Sequence, residues 1–346
     1  MSDLSALGWD ATFASAYRIF DRPDTTQARV LRADRGVCTV LDPSGVTRAS
    51  LAGSVLLGAA DDPANLPCAG DWVVLRRWPD RRTTVECVLP RRTALIRRTS
   101  DKDSSGQVLA ANMEAVAVVE PMHPAPDDAR VERLLALAWE SGAQPVIVLS
   151  KSDTARDPQA VARQLAELAP GVRVVPVSVH NGTGIDALRE YVAPGRTLAL
   201  LGRSGAGKST LVNALAGADV MGVQEIRRAD GKGRHTTAYR SLVLVPGGGA
   251  VLDTPGIRGV GLLDTAGGLD RAFADVADLA AQCRFGDCGH DDEPGCAVAA
   301  ALADGMLQPR RLESWRKLHR EVAVESRRRA ARLAGAAGSS RRRPRR

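Results

Sequence analysis

The sequence predicts a multidomain fold: an N-terminal OB-type β-barrel, a central α/β domain on a parallel sheet, and a C-terminal helical zinc-binding domain. Three observations predict it. Residues 26–97 hold short β-branched runs between turn residues, residues 98–262 alternate apolar strands with amphipathic helices, and Cys283, Cys288, His290 and Cys296 fall within fourteen residues. A chain of 346 residues exceeds one small core, and 44% apolar content excludes wholesale disorder. There is no run of 18 apolar residues to span a membrane, and MSDLSALGWD lacks the basic and apolar regions of a secretion signal. Six cysteines are too few for a disulfide framework, so a reducing cytoplasm is the expected compartment.

Residues 1–25 form an N-terminal extension. In the barrel segment, QARVLRADRGVCTVLD gives two strands, DPSG a turn, and VTRASLAG, GDWVVLRRW and TTVECVLP about three more, with no helical pattern between them. Five such strands suit a small closed barrel, a shape that often binds oligonucleotides. Trp72 and Trp78 are core residues or base-stacking platforms, while Cys38, Cys68 and Cys87 lack metal spacing and read as small buried residues.

From residue 98 the period changes. Strands MEAVAVVE, PVIVLS, VRVVPVS and TLALLG alternate with helices DARVERLLALAWESG, PQAVARQLAEL, GIDALREYV and KSTLVNALAG, the pattern of a sheet covered on both faces. Gly202-Arg203-Ser204-Gly205-Ala206-Gly207-Lys208-Ser209-Thr210 matches G-x-x-x-x-G-K-[ST] between a strand and a helix, the context of a phosphate loop. Its glycines let backbone N–H groups surround the β-phosphate and the helix N-terminus adds partial positive charge. Lys208 is then placed to reach the β- and γ-phosphates and the Ser209 hydroxyl to bind Mg²⁺. Asp253-Thr-Pro-Gly256, after the apolar run AVLD, suits a Walker-B acid followed by a glycine near the γ-phosphate.

Ser150-Lys151-Ser152-Asp153 resembles the guanine box Asn-Lys-x-Asp, in which the carboxylate accepts from guanine N1–H and the 2-amino group. Ser150 replaces the usual Asn and makes fewer hydrogen bonds. Ser178-Val179-His180 resembles the Ser-Ala-x box behind the base. Together the four boxes indicate a guanine-nucleotide domain, and their order is circularly permuted: the two base boxes precede the phosphate loop and DTPG. A switch after Asp253 therefore leads straight into the C-terminal segment, which nucleotide state could move directly.

Past Leu262 the chain reads as helical, interrupted near 283–296 by Cys-x4-Cys-x-His-x5-Cys. Three thiolates and an imidazole suit one closed, structural zinc per chain. Residues 310–346 carry fourteen Arg or Lys against three Glu, +11 within a chain of +7, so the remainder sums to −4. Leu312, Trp315, Leu318 and Val322 have helical spacing, residues 263–335 form the zinc-binding helical unit, and 336–346 read as a disordered basic tail. This basic segment is a solvated face or a contact for nucleic-acid phosphates.

A barrel, a permuted P-loop GTPase domain and this zinc pattern, in that order, resemble the ribosome small-subunit-dependent GTPases, the RsgA (YjeQ) family. The resemblance covers about residues 26–330, and GKGRHTT (231–237) looks like the family's first switch, Gly-x-x-Arg-His-Thr-Thr. It implies a cytoplasmic, monomeric GTPase that binds the small ribosomal subunit and its rRNA near the decoding region, assists late maturation, and releases on hydrolysing GTP with Mg²⁺. Where Ras-like enzymes place a water-orienting Gln this chain has Ile257, so slow intrinsic hydrolysis is expected, with His235 the candidate to orient water and Thr236 or Thr237 to reach Mg²⁺ and the γ-phosphate. Two other readings stand beside it: an rRNA-binding assembly factor gated by nucleotide with negligible turnover, and a P-loop kinase or ATPase, which leaves the guanine box unexplained.

Overall fold

The N-terminal extension is folded onto the molecule. Its helix α1 (Ala11–Tyr17) is capped by Asp10, whose carboxylate accepts from the N–H groups of Thr12 and Phe13. Backbone bonds from Gly195 and Gly249 to the Ala6 carbonyl tie the segment to the α/β domain. The computed structural model describes residues 3–340 except 99–105, 221–240, 255–265 and 292.

The barrel comprises β1 (Thr25–Asp34), β2 (Val37–Asp42), β3 (Gly45–Leu51), β4 (Trp72–Arg77) and β5 (Thr83–Val88). Pairing runs β1-β2-β3-β5-β4, and β4 pairs back onto β1 to close the ring. Ala28, Val30, Val40, Val73, Leu75 and Val85 alternate inward to fill it. The expectation of no helix here fails: α2 (Gly53–Asp61) lies in the connection from β3 to β4 and packs Val55 into the barrel core. Leu56 and Leu57 on α2 are exposed, so the helix lacks the apolar stripe by which sequence patterns are recognised. Trp72 is fully buried, with Trp9 and Phe13 of the extension at ring distances of 4.9 and 5.8 Å, so it is core. Trp78 lies under Arg76, 4.1 Å from the ring centroid, and donates its indole N–H to Thr84.

A hairpin, β6 (Ala94–Arg98) with β7 (Gly106–Ala111), leads into the α/β domain. There β8 (Ala115–Pro121), α3 (Asp128–Glu140), β9 (Gln144–Ser150), α4 (Pro158–Leu168), β10 (Arg173–Pro176), α5 (Ile185–Arg189), β11 (Thr197–Leu201), α6 (Lys208–Ala216), β12 (Ser241–Leu244) and β13 (Ala250–Asp253) follow. The parallel order is β10-β9-β8-β11-β13, with β12 antiparallel beyond β13 and touching β1 through Arg32 and Ser241. Every residue of β8 is buried, as a strand covered on both faces requires. Helices α5 and α6 close one face over Val119, Val146 and Leu200, and α3 and α4 the other over Val118, Ile147 and Leu149.

The C-terminal unit comprises α7 (Ala266–Ala272), α8 (Ala274–Ala280), α9 (Ala297–Ala303) and α10 (Pro309–Ser340). Its Leu269, Phe273, Val298, Leu312 and Leu318 join the same hydrophobic cluster as α3, so the two units share a core. At their junction the fully buried Glu132 of α3 accepts from Arg310, Arg311 and Ser314, and Arg133 pairs with Glu321. The expected disordered tail is corrected in part: α10 continues through residues 336–340. Residues 341–346 lie outside the described residues. No helix among the described residues is long and apolar enough to cross a membrane.

Candidate nucleotide and metal sites

The phosphate loop leaves β11 at Gly202 and enters α6 at Lys208. A Cβ at Gly202 would sit 2.3 Å from the Val119 carbonyl oxygen, so only glycine lets the loop pass β8 so closely. Gly207, with φ +90°, caps α6 in a conformation that L side chains resist. Lys208 is buried, and its ammonium donates to the Gly202 and Arg203 carbonyls at 2.9 and 3.0 Å, folded over the loop. Ser209 and Thr210 form the first turn of α6, while Ser204 and Gly205 stand exposed at the loop's tip.

Asp253 ends β13 almost wholly buried, and its Oδ1 has no hydrogen-bond partner. Next to it the Thr254 hydroxyl donates to the Leu200 carbonyl, joining the ends of β13 and β11. Burial pushes the Lys208 ammonium below its ordinary value and the Asp253 carboxyl above its own, each offset by the charge of the other. Phosphate beside Lys208 and a divalent cation beside Asp253 would each favour the charged form. An orphaned buried acceptor and a lysine with only carbonyls to bond fit a magnesium–phosphate group.

The base boxes stand at neighbouring strand ends. Ser150, the last residue of β9, is buried and donates its hydroxyl to the Ala206 carbonyl at 2.6 Å. Lys151, in the left-handed region at φ +57°, reaches the Gly205 carbonyl at 3.2 Å. Ser152 is buried, its N–H on the Val177 carbonyl. Asp153 is exposed and accepts from the buried Ser178 hydroxyl at 2.5 Å, which holds its carboxyl below the usual range. Val179, partly buried, follows Ser178. Gly256, Ile257 and the switch residues His235, Thr236 and Thr237 lie outside the described residues.

One neighbour went unread in the sequence. Glu120, fully buried at the end of β8, is gripped by both arms of Arg130 on α3 at 2.6 and 2.8 Å. Its only signal was an acid closing an apolar strand.

The four metal candidates converge, with their ligand atoms within 4.8 Å of one another. Cys283 Sγ lies 3.9 Å from Cys296 Sγ, and His290 Nδ1 lies 3.5 and 3.7 Å from these sulfurs. A tetrahedron with zinc–sulfur bonds of about 2.3 Å has sulfur–sulfur edges of about 3.8 Å, so the spacing and donor set fit zinc. The loop is positioned from α10, where Arg316 donates to the His290 carbonyl and to Asp291 at 2.6 and 2.7 Å.

The model of the RsgA GTPase family matches residues 88–263. Among curated proteins, the small ribosomal subunit biogenesis GTPase RsgA of Streptomyces coelicolor is 50% identical over 323 residues, covering 92% of this chain and 87% of that one. That of Opitutus terrae is 43% identical, covering 94% and 91%. Among solved structures, YjeQ from Thermotoga maritima superposes with a TM-score of 0.64 at 28% identity, covering 86% of this chain and 99% of that one. YloQ, described as a circularly permuted GTPase, matches at 0.59 and 22% identity over 86% and 95%, a likeness of fold.

Proposed function

The chain belongs to the RsgA GTPase family and is a GTP hydrolase, and on that premise we propose that it binds the small ribosomal subunit and assists its late maturation, with turnover stimulated by the subunit. The observation that carries this reading is the meeting, at the ends of β9, β11 and β13, of the base box, the phosphate loop and the buried Asp253, in permuted order.

In the proposed mechanism Asp153 selects guanine, while the backbone of 202–207 and the Lys208 ammonium hold the β- and γ-phosphates. Ser209 and Asp253 would hold a magnesium ion, which would supply charge to neutralise the β- and γ-phosphates. His235 is proposed to orient the attacking water, its imidazole accepting a proton from it. Thr236 or Thr237 closes over the γ-phosphate. One structural zinc on Cys283, Cys288, His290 and Cys296 stiffens the loop between α8 and α9. Together with the basic α10, this unit is proposed to present cations to rRNA. The protein is proposed to work as a cytoplasmic monomer.

The test is GTP turnover by the full chain with and without purified small ribosomal subunits. Stimulation of several-fold or more is expected. Flat, near-zero rates with subunits that bind would replace the enzyme by a nucleotide-gated rRNA-binding factor.

A further inference from the structure

Of the chain's four asparagines, Asn181 alone is followed by glycine. It is exposed, whereas Asn112 and Asn213 are buried and Asn65 precedes the bulkier Leu66. Asparagine is chemically labile where the next backbone nitrogen can reach its side-chain carbonyl, and a following glycine has no side chain to block that approach. The Gly182 N–H has no hydrogen-bond partner among the described residues, and a Cβ on Gly182 would meet nothing within 4 Å. The Asn181 Oδ1 accepts from the Thr183 N–H at 3.1 Å, which polarises the carbonyl toward a nucleophile.

The same loop supports the base box. The Asn181 N–H donates to the Ser178 hydroxyl at 3.4 Å, and that hydroxyl donates to Asp153 at 2.5 Å. The Ser178 N–H donates to the Thr183 carbonyl at 2.9 Å, closing residues 178–183 on themselves. Just beyond, Gly184 passes so near β10 that a Cβ there would lie 2.1 Å from the Pro176 carbonyl oxygen. Extra backbone length at residue 181 must therefore be absorbed between 178 and 183.

We propose that Asn181–Gly182 is a site of spontaneous deamidation, and that its isoaspartyl product loosens the seat of Asp153 and weakens guanine nucleotides. The effect on nucleotides rests on the nucleotide-binding reading of the site; the chemistry does not. The Gly182 nitrogen attacks Asn181 Cγ, its proton passes through solvent to Nδ2, and the Cγ–Nδ2 bond breaks to release ammonia and leave a cyclic imide. Water then opens either imide carbonyl, giving aspartate or isoaspartate at 181. The balance is a water consumed and an ammonia released, with no oxidant or reductant. In isoaspartate the main chain runs through Cβ and Cγ and is longer by a carbon, inside a segment closed on itself at Ser178 and Thr183. The added length draws the Ser178 hydroxyl out of line with Asp153.

The experiment incubates the full chain and its Asn181→Ser, Gly182→Ala and Asn181→Asp variants for weeks in mildly alkaline buffer, beside a free peptide of residues 176–187. Peptide mapping separates asparagine, aspartate and isoaspartate, and GDP affinity with Mg²⁺ is measured on the same samples. Isoaspartate is expected at 181 ahead of every other asparagine in the parent chain, absent there from Asn181→Ser and slowed in Gly182→Ala. The isoaspartyl fraction, once separated, is expected to bind GDP about three- to tenfold more weakly than the fresh chain, the worth of one misaligned hydrogen bond. Asn181→Asp, which adds the charge without the extra carbon, and aged Asn181→Ser are expected to stay within about twofold of the fresh parent. An intact Asn181 in the chain while the free peptide converts overturns the modification site. Parental GDP affinity in the isoaspartyl fraction, or an equal loss in Asn181→Asp, overturns the loosened seat. If Asn181→Ser does not fold, Gly182→Ala takes its place: its GDP affinity must fall more slowly than the parent's, and an equal rate overturns the proposal. Failure of the fresh parent chain to bind GDP would overturn the nucleotide site itself, a result distinct from all of these.

Discussion

Replacing Glu132 with Ala tests whether the C-terminal unit is held to the nucleotide domain by a buried charge cluster. Its carboxylate is fully buried and accepts from Arg310 at 3.0 Å, from Arg311 at 2.8 Å and from the Ser314 hydroxyl. Removing one member of a buried pair costs about 3–5 kcal/mol, most of it from the charge left behind. Here the lower side of that range applies. Arg311 keeps Asp275 at 2.8 Å and the Ala272 carbonyl at 2.7 Å, and Arg310 is 40% exposed and can turn to water. The expected loss is therefore about 3 kcal/mol, raising the undocked population roughly 150-fold. Limited proteolysis within residues 263–335 reads that population when reclosing is faster than cleavage. Nucleotide binding should persist, because Glu132 touches neither the phosphate loop nor the base box, and this distinguishes undocking from global unfolding. Cleavage within about threefold of the parent chain would refute the idea that the cluster holds the interface.

Further outcomes follow from the two sites. Cys288→Ala, or a strong chelator, is expected to remove one zinc per chain and destabilise the α8–α9 segment; loss of the metal without loss of folding, read by metal analysis and circular dichroism, would deny it a structural role. Lys208→Ala is expected to abolish GTP hydrolysis at any subunit concentration, since the ammonium is the group proposed to hold charge at the β- and γ-phosphates; residual stimulated turnover would contradict this. Asp153→Asn is expected to relax the preference for guanine, measured by competition with ITP and ATP. In the parent chain that preference should stay flat from neutral pH down to about the ordinary carboxyl value of 3.8, because the Ser178 hydroxyl lowers the Asp153 value. A depressed carboxyl remains charged above the ordinary value and loses its contribution only as pH falls through the lowered one. His235→Ala is expected to reduce subunit-stimulated turnover with little effect on GDP affinity; unchanged stimulated rates would remove His235 from the catalytic role.

The sites were legible because each is carried by residues close in sequence and tied to a strand end. GRSGAGKST, DTPG, SKSD and the Cys/His spacing are local strings, and the parallel sheet brings three of them to the ends of β9, β11 and β13, with β8 between the first two. Helix α2 escaped because its leucines face water, and the continuation of α10 past residue 335 escaped because the string GAAGSS carries no apolar periodicity to mark a helix. The meaning of Ser150 was also hidden: the string shows a lost amide, and only the 2.6 Å approach of Ala206 shows what the hydroxyl holds.

The sequence by itself determined the three-part order, the permuted boxes and the Cys/His cluster that could hold a metal, since periodicity, glycine geometry and residue spacing act within a few turns of chain. The idea that a switch beyond Asp253 could move the C-terminal segment directly also came from order alone. The tertiary structure docks that segment on α3, through a shared core and the buried Glu132 cluster, and lodges residues 4–17 between barrel and sheet. Those contacts join residues up to 188 positions apart, as between Arg133 and Glu321. They depend on which surfaces meet when the chain collapses, and no local pattern encodes that meeting.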